Sequence, residues 1–236
     1  MLAPEGVCDA GFYCTGGAIL SNPGADGTPR SYGAECPVGH YCPTRTITAT
    51  QFPCPPGTIN PVTGRQNASS CLPCPPGSYC EDPGQGEPAG PCASGFFCFG
   101  GSSQQQPPDG ATGGGPCTVG HFCPVNTSSP LECPSSTFMN STGASVCYPC
   151  PEGFFCDGNS PAEPQPCPPG SYCPPSTGTL PPLCPEGTFN ELLFLRSAQE
   201  CQSCTPGRFC GREGLTSSSG SGPCSAGFYC PGAAAD

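Results

Sequence analysis

Apolar residues in this chain follow neither the three-and-four spacing of an amphipathic helix nor a sustained alternation. A Pro, Gly or Cys interrupts almost every window long enough for a helix. The pattern therefore predicts turns and short two-stranded hairpins with almost no helix. One segment departs from this, Asn190 to Glu200, where Leu192, Leu193, Phe194 and Leu195 form the longest apolar stretch and make the sole helix candidate. Those four residues are also the candidate contact patch. No window has the apolar length of a membrane span. Ser102 to Gly115 and Thr216 to Gly222 read as flexible connections.

What does recur is a short phrase, Cys-x-x-Gly-x-[Phe/Tyr]-Cys, opening at Cys8, Cys36, Cys74, Cys92, Cys117, Cys150, Cys167, Cys204 and Cys224. Three further copies open at Cys54, Cys133 and Cys184. They lack the second cysteine and meet their next one only at Cys71, Cys147 and Cys201. The glycine slot fails only at Ser136, so a backbone requirement is expected there. The apolar slot two residues on holds Tyr13, Ile59, Phe189 and their equivalents, and each ring is expected to lie over its own disulfide as a miniature core. Two short units precede one compound unit, which divides the chain into super-repeats 1–91, 92–166 and 167–236, the last partial and running into the next. Units that touch only their neighbours predict a quasi-one-dimensional rod.

Composition says what must hold such a chain together. With 35 glycines, 36 prolines and no tryptophan among 236 residues it cannot bury a conventional core, but it carries 24 cysteines. An even count at regular spacing favours complete oxidation, and hence a secreted or cell-surface setting. Nearest-neighbour closure would pair Cys8 with Cys14, Cys36 with Cys42, Cys54 with Cys71, Cys74 with Cys80, Cys92 with Cys98 and Cys117 with Cys123. It would continue with Cys133 to Cys147, Cys150 to Cys156, Cys167 to Cys173, Cys184 to Cys201, Cys204 to Cys210 and Cys224 to Cys230. A turn glycine lets the flanking Cα atoms approach about 5.5 Å, and loops this short contribute about 2–3 kcal/mol each. An interleaved pattern, with cysteines bonding a neighbouring unit, stays open. The rival chemistry is zinc on the pairs Cys71/Cys74, Cys147/Cys150 and Cys201/Cys204. Each pair stands alone in its repeat, and His40 and His121 are the only histidines, so no metal or other cofactor is expected.

The net charge of −11 comes from 17 acidic residues against six arginines, with no lysine. Arg30, Arg45, Arg65, Arg196, Arg208 and Arg212 are scattered singly, which excludes a phosphate-binding patch and makes nucleic acid an unsuitable partner. Glu81-Asp82 and Asp157-Gly158-Asn159 lack the recurring oxygen ligands of a calcium loop. Catalysis finds no footing: the cysteine arithmetic leaves no free thiol, and each histidine sits at the variable fifth position of the phrase. Three sequons, at Asn67, Asn126 and Asn140, invite N-glycosylation, and Asn67 and Asn140 fall in corresponding long loops. Met1 to Glu5 has neither the basic nor the apolar region of a secretion signal, so the signal is expected elsewhere in a longer parent chain.

The phrase Cys167-Pro-Pro-Gly-Ser-Tyr-Cys173 and the compound unit Cys54-Pro-Pro-Gly-Thr…Cys71-Leu-Pro-Cys74-Pro-Pro-Gly resemble the ephrin-receptor-like cysteine-rich repeat. That repeat is akin to the modules of tumour-necrosis-factor and growth-factor receptors. The resemblance covers nearly the whole chain and implies a small disulfide-rich fold of tandem modules. Such repeats occur in receptor ectodomains and in long surface proteins of protists and algae, including flagellar-hair (mastigoneme) proteins. The many bare Cys-x5-Cys units between compound ones favour the second kind. The expected function is thus structural: a glycosylated, self-associating segment of an extracellular filament, appendage or coat. The alternative is the ectodomain of a receptor or adhesion protein that binds a protein ligand.

Overall fold

The structure is a computed structural model that describes residues 7–24, 32–108, 110, 113–158, 162–227 and 229–232. Arg30 and Asn159, and part of the 102–115 connection, lie outside them. The chain divides into two compact units, Met1–Cys117 with Cys123–Pro130, and Thr118–Phe122 with Leu131–Asp236. The first holds four two-stranded antiparallel sheets among the described residues and the second five.

Each sheet is built in the same way. The opening cysteine leads through a turn into a strand of two or three residues carrying the apolar slot, and the chain returns on a strand just before the next opener. Thus Thr58–Ile59 pairs with Leu72–Pro73, Ser78–Tyr79 with Gly90–Pro91, and Thr188–Phe189 with Gln202–Ser203. Hairpins this short do not persist alone in water. They are held by twelve disulfides that leave no free cysteine. Every bond joins an opener to the cysteine that follows it. The six-residue separations run from Cys8–Cys14 to Cys224–Cys230, and the longer ones are Cys54–Cys71, Cys133–Cys147 and Cys184–Cys201. Cysteines of the Cys-x-x-Cys pairs therefore belong to different disulfides, Cys71 to Cys54 and Cys74 to Cys80. Closing twelve loops in oxidised form requires an oxidising environment of the secreted or extracellular kind. Among the described residues no helix is long and apolar enough to cross a membrane.

The core consists largely of cystine sulfur. Cys36, Cys42, Cys80, Cys92, Cys98, Cys117 and Cys123 have no solvent exposure, and few large side chains join them. Where they do, the apolar residue covers the following disulfide and not its own, contrary to the sequence expectation. Ile59 clusters with Cys74 and Cys80, and Phe189 with Cys204, Cys210 and Leu215. The hairpin register explains this: Ile59 faces Leu72 and Phe189 faces Gln202, each only two residues before the next opener.

Two further expectations are corrected. Asn190 to Glu200 is not a helix; only Ala198–Glu200 makes a single 3-10 turn. Phe194 has φ 69°, which no α-helix tolerates, and Leu195 is buried while Leu192, Leu193 and Phe194 are about half exposed. Leu195 thus drops out of the contact patch. The two connections are not free tethers either: Ser102 is fully buried and its carbonyl accepts from the Cys80 N–H at 2.9 Å, and Gly222–Pro223 is a strand paired with Arg208–Phe209.

The burial of sulfur predicts an order of reduction. Cys71, Cys147 and Cys201 are half-buried, whereas both partners of Cys36–Cys42, Cys92–Cys98 and Cys167–Cys173 are inaccessible. Exchange requires a thiolate to reach sulfur. Limiting reductant followed by alkylation and peptide mapping should label the three long-loop disulfides, together with Cys8–Cys14 and Cys224–Cys230, whose Cys14 and Cys224 are also half-buried, before the three inaccessible pairs; labelling of the inaccessible pairs as fast as these five would contradict this burial pattern.

Candidate functional site

The glycine of each phrase is where one module meets the next. Its φ lies between 79° and 93° wherever glycine occupies the slot, a region costly for any residue with a Cβ. That conformation turns both backbone polar groups towards the following module. The Gly57 N–H donates to the Cys80 carbonyl at 2.7 Å, and the Gly57 carbonyl accepts from the Cys74 N–H at 2.8 Å. The same two bonds recur at all eleven junctions among the described residues, from Gly11 with Cys42 and Cys36 to Gly207 with Cys230 and Cys224.

A second backbone slot completes the junction and was not legible in the sequence. Three or four residues after the closing position, Arg45, Gly64, Gly84, Gly101, Asn126, Ser176, Phe194 and Gly214 all take positive φ, from 65° to 79°. Each donates its N–H to the opening cysteine's carbonyl in the preceding phrase, as Gly101 does to Cys74 at 2.8 Å. The residue immediately after it accepts from the preceding closing position, as Thr46 does from Cys14 at 3.0 Å. Leu195 is one of these acceptors and, like Thr46, Ser102, Thr127 and Thr177, is buried by its place in the repeat. The threonines keep their buried hydroxyls satisfied by donating to a proline carbonyl three residues back, Thr46 to Pro43 at 2.6 Å. Variable residue type and an offset of three or four hid this slot.

The two slots also touch across two modules. A Cβ on Gly11 would stand 2.7 Å from the Gly64 carbonyl oxygen, and one on Gly57 2.6 Å from that of Gly101. The first slot therefore excludes side chains sterically as well as conformationally. Ser136, at φ 77°, is accommodated because Gly178 lies opposite; a Cβ on Gly178 would meet the Ser136 Oγ at 2.8 Å.

In the compound units another side chain stands where the closing cysteine would be. Asn60 and Asn190, each 1 % exposed, fill that place in two of them, and Met139 in the third. The Asn60 amide donates to the His40 carbonyl at 2.7 Å and its Oδ1 accepts from the Val62 N–H at 3.2 Å, which ties the unit to the phrase before it. Asn190 donates to the Leu192 carbonyl at 2.8 Å and the Ser171 carbonyl at 3.3 Å.

The other sequence candidates sit on the surface and apart from one another. Asn67, Asn126 and Asn140 are all exposed; Asn67 caps the Ala68–Ser70 turn by accepting from the Ser69 N–H. In the contact patch the Phe194 ring meets Phe154 edge-on at 5.2 Å, and Arg196 pairs with Glu152 at 2.9 Å beside it. His40 and His121 are half-buried, each with Nδ1 near a backbone carbonyl two residues back. No cluster of three metal-ligating side chains occurs among the described residues.

These features define a small disulfide-rich repeat protein. No known family model matches the chain. A stretch of 100 residues, 42 % of the chain, is 31 % identical to an ABC-type transporter, claG, of Penicillium crustosum. The chain spans only 11 % of that relative's length.

Substitutions at the junction have opposite expected signs. Gly57→Ala should cost at least about 2 kcal/mol through strain and the clash with Gly101, and so speed amide exchange at Cys74 about thirtyfold. Ser136→Gly should gain about 0.5–1 kcal/mol and slow exchange at Cys150, whose N–H donates to the Ser136 carbonyl. Asn60→Ala, which strips the part-buried His40 carbonyl of its donor, should cost about 1–3 kcal/mol in denaturant unfolding of the oxidised protein.

Proposed function

We propose that this chain is a structural, non-enzymatic segment of an extracellular filament, appendage or coat, in which ephrin-receptor-like cysteine-rich modules serve as a covalently closed scaffold. The observation that carries this reading is the repeated junction. Its bonds come from backbone groups and from positions fixed by cystines, so it accepts loops of differing sequence and length without changing the way modules join. A protein whose interior is cystine also resists proteolysis and denaturing surroundings, as an external fibre must. Asn67, Asn126 and Asn140 would carry N-glycans on its surface.

The receptor-type reading rests on a different observation, the exposed group of Leu192, Leu193 and Phe194 beside the Arg196–Glu152 pair. In that case the chain would present one protein-binding surface and would not assemble.

Negative-stain electron microscopy at several concentrations separates the two. Regular assemblies that soften or fall apart on reduction are expected; dispersed single particles at every concentration would overturn the scaffold reading and favour a receptor ectodomain. For chain secreted by a eukaryotic host, treatment with an N-glycanase should lower the mass and convert the occupied asparagines to aspartate; an unchanged mass would remove the glycans from this picture.

A further inference from the structure

The sequon at Asn140 stands beside an exposed pair of aromatic rings. Asn140 follows Phe138 by two residues, and Met139 between them is 2 % exposed, so Phe138 and Asn140 share the outward side of the chain. Phe138 pairs across its hairpin with Tyr148, and the two ring centroids lie 6.4 Å apart at an interplanar angle of 54°. Tyr148 is 56 % exposed, and Val146, two residues before it, 62 %. The other sequons lack this setting: Arg65 and Pro124 stand two residues before Asn67 and Asn126. Their side chains are also engaged. The Asn67 Oδ1 accepts from the Ser69 N–H at 3.2 Å, and the Asn126 Oδ1 lies 2.8 Å from the place that a Cβ on Gly77 would take.

The unit that carries Asn140 is also the compound unit whose apolar slot is least covered. Ile59 and Phe189 are buried in the other two, at 8 % and 3 % exposure, whereas Phe138 is only part-buried. Its disulfide, Cys133–Cys147, closes a separation of 14 residues where Cys54–Cys71 and Cys184–Cys201 each close 17. Among the described residues its loop has no counterpart of the 3-10 turns Ala68–Ser70 and Ala198–Glu200 that precede the closing cysteine in the other two. Pro61 and Glu191 stand in those units where this one has Asn140.

From this coincidence we propose that Asn140 carries an N-glycan whose first N-acetylglucosamine stacks on the Phe138–Tyr148 pair and supplies the cover that this unit's short loop lacks. The inference rests on the reading of a glycosylated scaffold and assigns one of its glycans a structural part. In attachment the Asn140 amide nitrogen bonds to C1 of the sugar, which comes from a lipid-diphosphate-linked oligosaccharide of the secretory pathway. The bond from C1 to the lipid diphosphate breaks, and one amide proton passes to solvent. Thr142 provides the hydroxyl that completes the sequon. A pyranose ring presents a row of C–H groups whose slightly positive hydrogens match the negative face of an aromatic ring. Seating it there also removes apolar area of the two rings from water.

The test uses full chain secreted by a eukaryotic host that adds oligomannose glycans, trimmed by an endoglycosidase to a single N-acetylglucosamine, beside Asn140→Gln. Nitration by tetranitromethane, read by peptide mapping, should run about three- to tenfold slower at Tyr148 in the glycosylated chain. Tyr32, 52 % exposed, should react alike in both and serves as the internal control. Thr142→Ala, which removes the sequon without altering Asn140, gives a second bare reference, and an unchanged disulfide map shows that each variant remains folded. Equal nitration of Tyr148 with Asn140 occupied would overturn the stacking and leave the glycan in place. An unoccupied Asn140 would overturn both the stacking and the glycan at this site, with the scaffold reading then resting on its other observations.

Discussion

The structure depends on a left-handed backbone at one position in each phrase. Once that residue adopts positive φ, its N–H and carbonyl point forward together. Both meet groups whose places are set by the next unit's disulfide or its stand-in. The constraint is local in origin and collective in effect. Glycine makes the conformation inexpensive, the cystine fixes the partner's geometry, and a hairpin too short to survive alone becomes one member of a series. The second slot works in the same conformation with less help from glycine. Arg45, Asn126, Ser176 and Phe194 bear the cost there because the surrounding bonds over-determine the backbone.

Covalent closure substitutes for what a conventional core supplies. The buried side chains are mainly cysteines, with an occasional Ile59, Met139 or Phe189. Where a phrase loses its second cysteine, a buried asparagine in two cases restores by hydrogen bonding part of what the bond gave. That exchange is uneven: a disulfide limits the unfolded chain, whereas Asn60 and Asn190 act only in the folded one. The same units therefore close longer loops, between Cys54 and Cys71 and between Cys184 and Cys201.

The class of fold was legible because its determinants are local. Regular cysteine spacing, a turn glycine and an interrupted apolar pattern lead directly to small disulfide-closed hairpins. What escaped was everything decided by the next module. Leu192 to Leu195 looks helical in isolation, yet Phe194 and Leu195 are claimed by bonds to Cys167 and Cys173. Ile59 looked like the lid of its own unit but leans on Cys74 and Cys80. The second slot was invisible because its requirement falls on a backbone angle that residue type only loosely reports. In a repeat of this kind the sequence states each unit plainly and the seams only faintly.

The disulfides also fix the chain's mechanical compliance. A pull along the backbone bypasses every residue enclosed between paired cysteines, five in a short phrase and more between Cys54 and Cys71. Stretching can open only the segments that connect one closed loop to the next, so oxidation lowers the ceiling on the chain's extension. Each long-loop bond that is cut releases a fixed increment of slack. The three half-buried cysteines that close those loops thus hold back the largest single increments of length.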